Sequence, residues 1–120
     1  MKITVNKINE SEVFEMACLR KKRTGLPVNI YVDDSGQWKK SHHANRIKLQ
    51  SNKGDHPNTL NMLPMSIGDD PDILIKGYES ELSQADINKV KHFVRRNKDL
   101  LNRLGEDIDI DDFIANMVLD

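Results

Sequence analysis

Val28-Asn29-Ile30-Tyr31-Val32-Asp33-Asp34-Ser35-Gly36 (VNIYVDDSG, residues 28–36) is the stretch on which the fold turns. Val28, Ile30 and Val32 alternate with Asn29 and Tyr31, the period-two pattern of a strand with one face on a core. Residues 33–36 are turn chemistry: short polar side chains that bond their own backbone, then a glycine suited to positive φ. Residues 37–40 then read as the returning arm of a hairpin. Downstream, Ile47 and Leu49 alternate with Arg46, Lys48 and Gln50, a further strand with a cationic outer face. Residues 51–58 (SNKGDHPN) read as a polar loop. Leu60, Met62, Leu63 and Ile67 suggest another strand, with Pro64 restricting it to an edge or a bulge. Ile73 and Ile75 mark a last short strand, ended by Gly77.

Upstream, MKITVNKI (residues 1–8) alternates through Ile3, Val5 and Ile8 as a short strand. Ser11 reads as an N-cap, with Glu12 and Glu15 in the first turns where the helix dipole favours acids. Val13, Met16, Ala17 and Arg20 share one helical face, extended by Phe14 and Cys18; the basic run 20–23 closes the helix, and Gly25 and Pro27 stop it. Towards the C-terminus, Ser83 and Asp86 have capping-box spacing. Ile87, Val90, Phe93, Val94, Leu100, Leu101 and Leu104 follow as a broad helical stripe. Gly105 sits where such a helix ends. A second helix is predicted from about Asp109, carrying Ile110, Phe113, Ile114, Met117 and Val118.

Strands and helices are segregated rather than alternating. The expected class is therefore α+β: a short-stranded antiparallel sheet with an N-terminal amphipathic helix and two C-terminal helices. At 120 residues one domain is expected (1–120), with a body over 1–106 and a terminal helix over 107–120 that docks on the body or on a partner. Helices at both ends would cover one sheet face and leave Arg46 and Lys48 on the other.

Hydrophobic residues make up 38% of the chain and charged residues 31%, with a formal net charge of −1, a balance that folds. No run approaches the roughly 18 apolar residues of a membrane helix. One cysteine, Cys18, forms no internal disulfide, so a cytoplasmic setting is expected. The charge is bipolar. Residues 20–56 hold nine Lys or Arg and three acids, a balance of +6, whereas residues 99–120 hold seven acids and one base, a balance of −6. Such asymmetry speaks of partners, not of fold.

Six groups are weighed for function. Lys39, Lys40, His43, Arg46, Lys48 and Lys53, with His42 among them, form a basic cluster that would attract phosphate, and Trp38 and Tyr31 would offer stacking surfaces to single-stranded nucleic acid. The bland alternative is a solvated sheet face that uses lysine against edge aggregation. Residues 20–23 are cations at a helix C-terminus, which the dipole alone explains. His42, His43 and His56 inside a cationic segment would suit general acid–base work in a ribonuclease-type toxin. Cys18 reads as a structural thiol. Phe113, Met117 and Val118 would dock on the body, on a partner protein or on a second copy as a homodimer. Residues 107–112 (DIDIDD) imitate a calcium loop, but Asp112 stands where glycine is needed and Val118 where glutamate is needed, so no metal is expected. No cofactor motif and no phosphate-cradling loop is present in the sequence.

His43-Ala44-Asn45-Arg46-Ile47-Lys48-Leu49-Gln50, then Ser66-Ile67 with Asp70-Pro71, then Leu82-Ser83 through Val90 to Asn97-Lys98-Asp99-Leu100-Leu101, resemble a small bacterial and phage family of uncharacterised proteins, some encoded in toxin–antitoxin-like gene pairs. Ala44 and Asn45 depart from the proline or glycine pair usual beside this arginine. The resemblance implies an accessory protein of bacterial or phage conflict systems. With the basic segment, the expected function is non-enzymatic, stoichiometric binding of a nucleic acid, a nucleotide or an acidic protein surface through the sheet face, with antitoxin-like or anti-defence-like action. A histidine-dependent ribonuclease and a C-terminal protein-interaction module are the alternatives.

Overall fold

The computed structural model describes residues 16–40 and 44–119. Four strands form one antiparallel sheet in chain order: β1 (Met16–Leu19), β2 (Ile30–Asp33), β3 (Arg46–Leu49) and β4 (Leu63–Ser66). The helices are α1 (Lys21–Thr24), α2 (Gln84–Arg96), α3 (Lys98–Arg103) and α4 (Ile110–Asn116). The class is α+β, with the helices α3 and α4 closing the chain.

Alternation sets the two faces. Ile30 pairs with Leu19 on one side and Leu49 on the other, and Leu49 pairs with Leu63, so these side chains stand on one face of the sheet. They join Ile87, Val90, Phe93 and Val94 of α2, Leu101 of α3 and Phe113 of α4 in a single apolar core. The opposite face carries the row Cys18, Tyr31, Lys48 and Pro64, and Arg46 opposite Ser66. Pro64 lies on the edge strand, where its missing N–H costs no ladder bond.

The helix starts are built as their residues dictate. Ser83 Oγ accepts from the Asp86 N–H at 3.1 Å, and the Asp86 carboxylate accepts from the Ser83 N–H at 3.0 Å, a complete capping box. Asp109 and Asp112 do the same for α4. Asn97, 1% exposed, interrupts the long apolar stripe and separates α2 from α3.

Three expectations are corrected. The N-terminal helix does not run through Met16–Leu19, which is strand β1; its earlier part, from Ser11, and the strand at residues 1–8 lie outside the described residues. Over four residues a helical and an alternating pattern both fit, and pairing with β2 decides, drawing Leu19, absent from the expected stripe, to 2% exposure. Residues 37–40 form a 3-10 turn rather than a hairpin arm. The Asp33 carboxylate causes it by accepting from the N–H groups of Ser35, Gly36 and Trp38, at 3.0, 2.9 and 2.7 Å. Ile73 makes a single bridge to Met65 instead of a last strand.

Candidate functional site

Two of the basic residues expected to converge, Lys39 and Lys53, are each engaged by an acid of another element. Lys39 Nζ lies 2.6 Å from Glu106 Oε1, in the turn after α3, and 5.8 Å from the Trp38 ring centroid. Lys53 Nζ lies 3.0 Å from Asp86 Oδ2, in the first turn of α2. These two lysines belong to opposite ends of β3. Asn45, just before the strand, bonds Leu101 O and Asn102, whereas Ser51, just after it, accepts from Ser80 and Glu81. Arg46 and Lys48 are half-buried on the outer sheet face, and Lys40 is exposed on the 3-10 turn. Tyr31 is 4% exposed and offers no stacking surface; burial, then the Cys18 thiol, pushes its hydroxyl up to about 12. Burial likewise raises Cys18, against the opposing pull of Tyr31 and Arg20, which disfavours the thiolate a nucleophile needs.

His42 and His43 lie outside the described residues. His56 is exposed in the loop that buried amides organise: Gln50, fully buried, donates to the Gly54 and His56 carbonyls and accepts from Asn58 N–H and Asn29 Nδ2. Among the described residues no three His, Cys, Asp or Glu side chains gather to hold a metal ion.

The C-terminal segment packs on the body. Phe113 is fully buried in the core, Met117 packs against it, and Val118 exchanges two bonds with the Asn97 amide: its N–H donates to Oδ1 at 2.7 Å and its carbonyl accepts from Nδ2 at 2.9 Å. Of the expected docking places, Phe113 takes the body: it is part of the core. Truncating a buried phenylalanine of this kind to alanine costs about 3–5 kcal/mol.

That docking shapes a concavity. Asn97 turns the chain end back towards α2 and leaves Leu119 lining a groove between α1 and α2, of about 710 Å³. The size suits a small ligand. Lys22 and Arg23 come from α1; Lys89 and His92 come from the polar face of α2, three residues apart on one side of the helix. Beneath these exposed cations lie buried Phe93 and half-buried Leu26, with Leu119 at the side. Among the described residues no carboxylate lines the groove, and none pairs with Lys22, Arg23 or Lys89.

Local sequence explains the wall. Gly25 adopts φ +78° and its N–H bonds the Lys21 carbonyl at 2.8 Å, ending α1 after one turn and swinging residues 26–29 back into β2. The basic run 20–23 therefore splits. Arg20 reaches the Asp55 carboxylate at 3.0 Å and Lys21 bonds the Lys53 carbonyl, while Lys22 and Arg23 face the groove. The sequence flagged the basic run but not Lys89, His92, Leu26 or Leu119, whose only signal was a cation and an imidazole at helical spacing.

No helix of the described residues is long and apolar enough to cross a membrane. No family model, no curated protein and no solved structure matches the chain.

Proposed function

We propose that this protein acts by stoichiometric binding of an anionic partner, with the groove between α1 and α2 as its contact. One observation carries the reading: cations from two separate elements line one concavity in which no described acid stands. Clefts of one charge sign raise the local concentration of counter-charged ligands, and their low-dielectric walls focus the field. The sheet face supports this less well, because Lys39 and Lys53 are engaged by Glu106 and Asp86. The resemblance through residues 43–50 and 97–101 favours a non-enzymatic accessory role in a bacterial or phage conflict system, where occupancy of a partner, rather than turnover, is the action.

The test is a titration followed by backbone amide NMR with adenosine monophosphate, a heparin oligosaccharide and a polyglutamate peptide. At least one of these is expected to shift Leu26, Lys89 and Leu119 amides. Lys22→Glu, Arg23→Glu and Lys89→Glu combined should abolish the shifts at unchanged thermal stability, and Lys39→Glu should leave them. Binding unaltered in the triple variant, or no shift with any anion, overturns the reading.

A further inference from the structure

Four kinds of lining meet in the groove, and their depths differ. The charged heads of Lys22, Arg23 and Lys89 are exposed at its mouth, whereas Phe93 is 3% exposed and Leu26 is half-buried beneath them. Leu119 completes an apolar side wall and is itself 53% exposed, a large hydrophobic side chain left in contact with water. Uncharged polar lining comes from Thr24, whose hydroxyl already accepts from the Leu26 N–H at 3.1 Å, from Asn88, whose amide oxygen accepts from Gln84, and from His92. A ligand recognised only through charge would gain nothing from that apolar wall.

Resting on the anion-binding reading above, we infer that the ligand is a free amphiphilic organic acid: one phosphate or carboxylate head on an apolar body. The head sits between Lys22, Arg23 and Lys89; the body lies along Leu26, Phe93 and Leu119. Charge complementarity selects the head and the apolar wall selects the tail. The groove's volume of about 710 Å³ accepts a drug-sized molecule.

Calorimetric titration with butyl, hexyl and octyl phosphate, all kept monomeric, tests this. Burial of each added methylene should tighten binding roughly threefold to fourfold until the wall is filled. Leu119→Ser, an exposed position that leaves the core intact, should weaken octyl phosphate several-fold and leave inorganic phosphate unchanged. Octyltrimethylammonium should not bind. Equal affinity for inorganic, butyl and octyl phosphate overturns the inference while the anion-binding reading stands. Tighter binding of adenosine monophosphate or the heparin oligosaccharide than of octyl phosphate does the same. Retention on phosphatidylglycerol vesicles without monomer binding assigns the surface to a lipid bilayer and also overturns it. Failure of every anion removes both proposals together.

Discussion

Lys39 and Lys53 each end on a carboxylate, Glu106 at 2.6 Å and Asp86 at 3.0 Å, whereas Lys22, Arg23 and Lys89 line a groove in which no described acid stands. Both regions are basic in sequence, and the folded chain treats them oppositely. The first contributes its charge to holding elements together: Lys39 joins the 3-10 turn to the turn after α3, and Lys53 joins the loop of residues 51–58 to the start of α2. The exposed Lys39–Glu106 pair contributes only about 0.2–1 kcal/mol, yet each pair occupies its ammonium group. The second region leaves its cations to solvent above an apolar surface. A count of charges along the chain, +6 over residues 20–56 and −6 over residues 99–120, does not distinguish them. What distinguishes them is which acids the fold brings close.

The sharpest way to break the first region is at Gly105, beside Glu106. A Cβ there would stand 2.3 Å from Gly36 N and 2.5 Å from the Ser35 carbonyl carbon, both backbone atoms, at a φ of +83°. Gly105→Ala is expected to cost about 3 kcal/mol or more, combining overpacking with a left-handed backbone conformation. Gly25, in the groove wall, has a similar φ of +78° and nothing within 4 Å of its Cβ position, so Gly25→Ala should cost about 1–2 kcal/mol. Urea unfolding midpoints of the two variants measure the contrast. Equal losses would mean that the approach of residues 35–36 to Gly105 does not constrain the fold.

A second comparison joins the regions through Asn97. Its side chain donates to the Phe93 and Val118 carbonyls and accepts from the Val118 N–H, all while 1% exposed. Asn97→Ala leaves those buried groups without partners and should cost about 2 kcal/mol. It should also release residues 117–119, so that Leu119 leaves the groove. The amide of Met117, which donates to the Phe113 carbonyl at 2.8 Å, should then exchange hydrogen faster while that of Lys39 keeps its wild-type rate. Slow exchange at Met117 in the variant would show that apolar packing holds the segment without Asn97.

Most of the architecture was legible where a residue's local chemistry and its tertiary role agree. The capping boxes at Ser83 and Asp109, the alternation through Ile30 and Val32, and the edge position of Pro64 are of this kind. Met16–Leu19 was not legible as a strand because four residues satisfy both periods, and only β2, more than ten residues on, selects one. The 3-10 turn was hidden because Asp33 has two uses, as a turn residue and as an acceptor for four successive amide groups, those of residues 35–38. The site was least legible of all. Residues 22–26 and 88–93 are remote in sequence, and Lys89 with His92 resembles any solvated helix face until α1 packs opposite. Phe113 was legible only in part: an apolar residue near a terminus suits a partner as well as the body, and burial in the core selects the body.

The smallest expected effect concerns the acid that engages Lys53. The Ser83 backbone N–H, followed by the Lys53 ammonium, holds the Asp86 carboxyl below the usual carboxylate range. A carboxylate whose folded-state value lies below its unfolded value binds fewer protons in the folded chain. Its stabilising contribution is complete above about pH 4, the ordinary aspartate value, and fades as pH falls through the lower folded value. Asp86→Asn removes this dependence and keeps a side chain able to accept the capping bond. The variant should therefore lose less stability than the wild type between about pH 5 and pH 2, although it is the less stable of the two at neutral pH. Lys53→Met should soften the same acid limb by less, since Ser83 remains as the larger cause. Thermal midpoints across that range measure both, and an Asp86→Asn profile parallel to the wild type would place the acid sensitivity elsewhere. Neither substitution should alter anion binding at neutral pH, because Lys53, already committed to Asp86, stands outside the groove.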